Sequence, residues 1–207
     1  MFDKAMAAAL DTAQRRLMNT SGNKSVLMSA ACDLKELCEL TDKLDPSGID
    51  FDKGGLEKLK INSYWNRFEK NYPALKELFE RLVRSKKILF NSRTTINKFY
   101  KEYSEVYEQF RSVPKEEQDS DYLQQAVISE NMYQLMKNSV TEHELSYSHL
   151  DKVINILGSS LDMAIYLARK STGSNIGDYV RVMPVTVSNL DYQHQFRDLN
   201  EILRNNE

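Results

Sequence analysis

Punctuation is scarce in this chain. Four prolines and seven glycines serve 207 residues, a low count, and most of them mark boundaries between segments. Cysteine is rarer still, at positions 32 and 38 only. On one helix those two would stand ~9 Å apart along the axis at ~1.5 Å per residue, beyond the ~7 Å reach of a disulfide. Both are expected to be free, small and packed on a buried face, which favours a reducing, cytoplasmic compartment. Neither has a histidine or third cysteine nearby, so the pattern does not make a zinc site. The three histidines, His143, His149 and His194, fall on different faces or segments. No window approaches eighteen consecutive apolar residues, which excludes a helical membrane span. "MFDKAMAAALDTAQRRL" (1–17) has an apolar run of six residues between Asp3 and Asp11, a poor signal peptide.

Sequence signatures of chemistry are missing as well. There is no Glu-x-x-His, no Gly-x-Ser-x-Gly and no phosphate loop; "STGSNIG" (171–177) lacks the lysine and the preceding strand. The expectation is a protein without enzymatic activity, cofactor, metal or small-molecule substrate.

What is present is helical period. The glycines and prolines gather in "DPSGIDFDKGG" (45–55), "SVPKEEQDSD" (112–121) and "STGSNIGD" (171–178), which read as loops. Between the first two, positions spaced alternately three and four run from Ile61 through Phe68, Leu75, Leu82, Leu89, Ile96 and Tyr103 to Val113, and thirteen of the sixteen are apolar or aromatic. Such a period keeps one seam facing a partner helix along its length. Trp65, Tyr72, Phe79, Lys86, Arg93, Tyr100 and Tyr107 form a second stripe beside it, the wider face of a bundle helix. Pro73 keeps the register, so it predicts a kink or a short break rather than a domain boundary.

The next segment repeats the pattern from Tyr122 to Ala168, with twelve of fourteen seam positions apolar or aromatic. "TEHE" (141–144) resembles a capping box and allows a break there. Residues 3–44 carry a weaker seam through Leu10, Ala13, Leu27, Ala31, Leu34, Cys38 and Thr41, split near "NTSGN" (19–23). "YVRVMPVTV" (179–187) reads as extended, and 188–206 as a short amphipathic helix through Tyr192, Phe196, Leu199 and Leu203. The predicted fold is all-α: an elongated antiparallel helical bundle over 1–170 with long kinked helices, and a partly extended C-terminal strap over 171–207.

Charge is segregated. Residues 81–101, "RLVRSKKILFNSRTTINKFYK", hold seven cations and no acid, in a chain of formal net charge −2. On the heptad, Arg84, Lys87, Lys98 and Lys101 point outward, Arg81 flanks the seam on one side, and Lys86 and Arg93 flank it on the other. These seven are the candidate binding residues. The plainer expectation is a solvated face neutralised by acids of neighbouring elements, such as Glu116, Glu117 and Asp119. Nucleic acid is disfavoured because the whole chain is slightly acidic. Eleven tyrosines, many on the seam or its flank, suit either the edge of a core or a surface that meets a partner.

Long helices offer extended surface and few concave pockets. The expected function is therefore a helical scaffold or adaptor that binds protein partners or its own copies. Two alternatives remain. A BAR-like peripheral module would set the cations against an anionic membrane. An extracytoplasmic sensing bundle of the chemoreceptor type would hold a ligand near Trp65.

Overall fold

The computed structural model describes residues 8–13, 15–16, 23–172 and 187–204. Among them the fold is all-α, without a strand. Residues 8–13 and 15–16 are helical; α1 spans Asn23–Lys43, α2 Glu57–Arg111, α3 Ser120–Thr172 and α4 Asn189–Arg204, with a 3-10 turn at Lys115–Glu117. The loops expected at 45–55 and 112–121 lie between α1 and α2 and between α2 and α3. Most of 171–178, nearly all of the extended segment 179–187, and the split at 19–23 fall outside the described residues.

Both long seams face inward, buried or half-buried, for the reason their period gives. Not one of their thirty positions is exposed. Pro73 lies inside α2 without breaking it. Its ring sits on the exposed side, where a carbonyl deprived of its helical donor can be hydrated. Helix α3 likewise runs through 141–144 unbroken. Asp119 caps it, accepting from the Tyr122 backbone N–H at 2.7 Å.

The α1 seam differs from the expected one. Ala31 and Cys32 are exposed, and the buried positions are Ala30, Asp33, Leu37, Cys38, Thr41 and Leu44. Cys38 and Thr41 keep their expected places, while before them the stripe is turned by about one residue onto Ala30 and Asp33, Asp33 being held by Arg81 at 2.9 Å. Neither Cys32 nor Cys38 is joined in a disulfide.

The chain packs as two units. One combines Ser85–Ser148 with the described part of 1–28; the other combines Ser29–Arg84 with the described part of 149–207. Helices α2 and α3 each contribute to both.

In the second unit the core is aromatic. Trp65 is packed by Phe51, Tyr64, Phe68 and Tyr192, with ring centroids 4.8–6.3 Å away. Burial of each such side chain stabilises the fold by roughly 2–3 kcal/mol. Tyr64 donates to the Leu44 carbonyl at 3.0 Å and accepts from the Tyr192 hydroxyl at 2.6 Å. Helix α4 is an amphipathic helix as expected, with Tyr192, Phe196, Leu199 and Leu203 buried. Ser188 and Asp191 cap it reciprocally: the Ser188 backbone N–H donates to the carboxylate, and the Asp191 N–H donates to the Ser188 hydroxyl. Gln193 donates to the carbonyls of Pro46 and Ile49, at 3.2 and 2.8 Å, and so fastens the α1–α2 connection. That connection turns through Gly48 and Gly55, at φ 79° and 71°.

In the first unit α2 and α3 run antiparallel, as their pairings show. Phe110 accepts from the Tyr122 hydroxyl, Tyr103 donates to Ser129 Oγ at 3.0 Å, Tyr100 meets Tyr133 at 2.9 Å, and Arg93 meets Glu144 at 2.5 Å. The tyrosines thus border an intramolecular core. Tyr107 donates to Glu130 and stacks on Tyr133 at 4.3 Å.

Candidate interaction surface

The seven candidate cations are divided by the two units and by their partners. In the second unit Arg81 is half-buried and ringed by Asp33 at 2.9 Å, Glu36 at 2.5 Å and Glu77 at 3.6 Å. Its Glu36 hydrogen bond, followed by the surrounding carboxylates, holds the guanidinium pKa above its ordinary value. Arg84 is exposed and reaches Glu80 only at 4.0 Å.

In the first unit Arg93 pairs with Glu144 and lies 5.2 Å over the Tyr147 ring. That hydrogen bond, with help from Asn97, holds the Glu144 carboxyl below its usual range. Lys86 is half-buried, 5.7 Å over the same ring. Lys87, Lys98 and Lys101 are exposed, with Glu102 3.9 Å from Lys98. The strongest neutralising contacts therefore come from Asp33, Glu36 and Glu144. Asp119, expected to help, caps α3 instead.

The first unit carries a second surface, which a search for charge overlooks. On α3, Gln124, Val127, Asn131, Gln134, Asn138, Thr141, Leu145 and Ser148 again step by three and four, and all eight are exposed. None is charged. Leu123 and Leu135 flank them, and the four apolar side chains of this face are 52–67% exposed. Across Leu123–Ser148, two of twelve exposed residues are charged, Lys137 and Glu142. On α2 in the same unit, seven of thirteen exposed residues from Lys87 to Arg111 are charged. A helix face that only meets water is ordinarily rich in charge. Depletion of charge with exposed aliphatic residues is the composition of a contact surface. The signal was available in the sequence as a second uncharged register behind the core-facing one.

A cavity of about 270 Å³ in the first unit is lined by Ala8, Thr12, Phe99, Tyr103 and the pair Arg16–Glu102, whose charges meet each other at 2.5 Å. His143 is buried with Nδ1 2.8 Å from the Ser139 carbonyl, as befits a core histidine. No cluster of three His, Cys, Asp or Glu side chains suited to a metal occurs among the described residues. No described helix is long and apolar enough to cross a membrane. Trp65, beside which the sensing alternative sets a ligand, is enclosed by its aromatic neighbours.

No family model, curated protein or solved structure matches the chain.

Proposed function

We propose that the protein is a non-enzymatic helical scaffold that docks a helix of another polypeptide on the outer face of α3, between Leu123 and Ser148. One observation carries the reading: eight consecutive heptad positions of a folded helix are exposed and uncharged. At ~1.5 Å per residue they extend over ~36 Å, enough for three heptads of knobs-into-holes contact. The apolar residues supply the attraction, and the amides and hydroxyls supply register without the cost of burying charge. A photoreactive benzoylphenylalanine placed at Leu135 tests it in the native cell. Covalent adducts are expected from Leu135 and from Val127, and few from the charged face at Lys98. An absence of adducts at both α3 positions would refute the reading.

A second reading rests on the exposed lysines of the same unit. Lys87, Lys98 and Lys101 would meet an anionic membrane surface, each contributing about 1 kcal/mol. Sedimentation with phosphatidylserine vesicles tests it. Binding left unchanged by reversing these three charges removes it.

A further inference from the structure

We infer that the cavity of the first unit is a binding site for a small carboxylic acid with an apolar body, whose carboxylate is received by Arg16. The site is independent of the α3 face. Its volume of about 270 Å³ exceeds the ~150 Å³ that suffices for benzene in an apolar cavity, so a single ring or a medium-length chain fits. Ala13, Tyr103 and Met136 form a buried floor. Ala9, Phe99 and Val106 are half-buried and form the walls. At positions 9 and 13, alanine leaves the space that a larger aliphatic side chain would fill. The hydroxyls at the site are already engaged: Tyr103 donates to Ser129 Oγ at 3.0 Å, and Thr12 donates to the Ala8 carbonyl at 2.7 Å. A cavity so lined holds water poorly and favours an apolar occupant.

The mouth supplies the charge. Arg16 and Glu102 stand there, paired at 2.5 Å with side chains 42% and 45% exposed. Lys98 lies 3.9 Å from the same carboxylate, so Glu102 is shared by two cations. Its bond to Arg16 engages a single guanidinium nitrogen, Nη1. Among the described residues, no other acceptor takes the remaining N–H groups of Arg16. The guanidinium carbon lies 4.6 Å over the Phe99 ring, which fixes the planar fork against one wall of the cavity before a ligand arrives. A guanidinium held in this way can donate to a second carboxylate through two parallel N–H···O bonds. Asp11 and Arg15 pair with each other at 2.8 Å and do not compete. An amine in the same place would meet Arg16 and Lys98 with like charge, and an alcohol would forgo the charge-assisted bonds, so the site selects acids.

Isothermal titration of the full chain with octanoate, phenylpropanoate and the alcohol corresponding to each reads the site. A dissociation constant below about 1 mM is expected for at least one acid, and the tighter of the two tells a fatty body from an aromatic one. Each alcohol should bind at least tenfold more weakly than its acid. Arg16→Gln should abolish that preference and leave the affinity for the alcohols unchanged. Ala9→Leu fills the cavity and should weaken acids and alcohols alike by at least tenfold. Circular dichroism should show both variants to be as helical as the wild type. With isotope-labelled methionine methyls, the Met136 resonance should move on titration, and that of Met163, in the second unit, should not. Failure of both acids to bind at millimolar concentration would overturn the inference. So would equal binding of acid and alcohol, or a Met136 methyl that does not respond.

Discussion

Gly158 and Gly55 predict opposite outcomes for one and the same substitution. Gly158 lies inside α3, where Ala is favoured over Gly by about 0.8–1 kcal/mol. A Cβ added there would lie 3.4 and 3.6 Å from Cε2 and Cζ of Phe79, which is van der Waals contact. The Phe79 side chain is only half-buried, so a ring shift of a few tenths of an ångström meets little resistance. The added contacts gain about 0.1–0.2 kcal/mol each. Gly158→Ala should therefore stabilise the second unit by roughly 0.5–1 kcal/mol. Gly55 has φ 71° and nothing within 4 Å of its Cβ position. Space is abundant there, and the backbone alone decides: an L side chain in that region costs about 1–2 kcal/mol. Both glycines belong to the unit that contains the single tryptophan, Trp65, so its fluorescence during urea unfolding reads both. At a urea slope of about 2 kcal/mol/M, the midpoint should rise by about 0.3–0.5 M for Gly158→Ala and fall by about 0.5–1 M for Gly55→Ala. A lower midpoint for Gly158→Ala would show that the Phe79 ring cannot yield. An unchanged midpoint for Gly55→Ala would show that the turn does not depend on its left-handed residue.

The remaining expectations concern ionisable groups and thiols. Burial pushes the phenols of Tyr64 and Tyr192 up, Tyr64 further by its neighbour. Both states are neutral below pH ~10; above it the unfolded chain loses protons first, so stability falls by up to about 1.4 kcal/mol per pH unit for each tyrosine. Tyr192→Phe should halve that alkaline slope in Trp65-monitored urea midpoints from pH 8 to 11, and an unaltered slope would contradict the assignment. Arg81→Met leaves the buried Asp33 carboxylate without its 2.9 Å partner and should cost about 1–3 kcal/mol, with Asp33→Asn in that background recovering part; no loss on urea titration would show that water suffices. Ellman's reagent should find one fast thiol, Cys32, and one slow thiol, Cys38, and two equal rates would mean that the α1 face is misplaced.

The two long helices were legible because their apolar period is uninterrupted: Leu82, Ile96, Met136 and Leu150 are all buried where it puts them. The α1 phase was less legible. An aspartate read from sequence is turned outward, whereas Asp33 is drawn inward by Arg81, a partner on another helix that no local pattern reveals. Glu144 neutralises Arg93 in the same non-local way. The outer face of α3 failed to register for another reason. Its information is a lack of charge at eight positions, and attention fixed on the cations of 81–101 passes over it. Tyr64 and Tyr192 illustrate the same limit, because their hydrogen bond joins residues 128 positions apart in the chain.

The division of the chain has a consequence for its birth on the ribosome. Ser85–Ser148 is one continuous stretch whose α2–α3 pairings span 12 to 51 residues, so it can fold into its hairpin as it emerges. The aromatic unit is different: Phe51, Tyr64 and Trp65 precede Tyr192, which closes over them, and Tyr192 follows Tyr64 by 128 positions. Until then those rings are exposed to chaperones and proteases. Nascent chains arrested before residue 172 should be cleaved within 29–84 and protected within 85–148, and equal protection of both stretches would show that the early half needs no late partner.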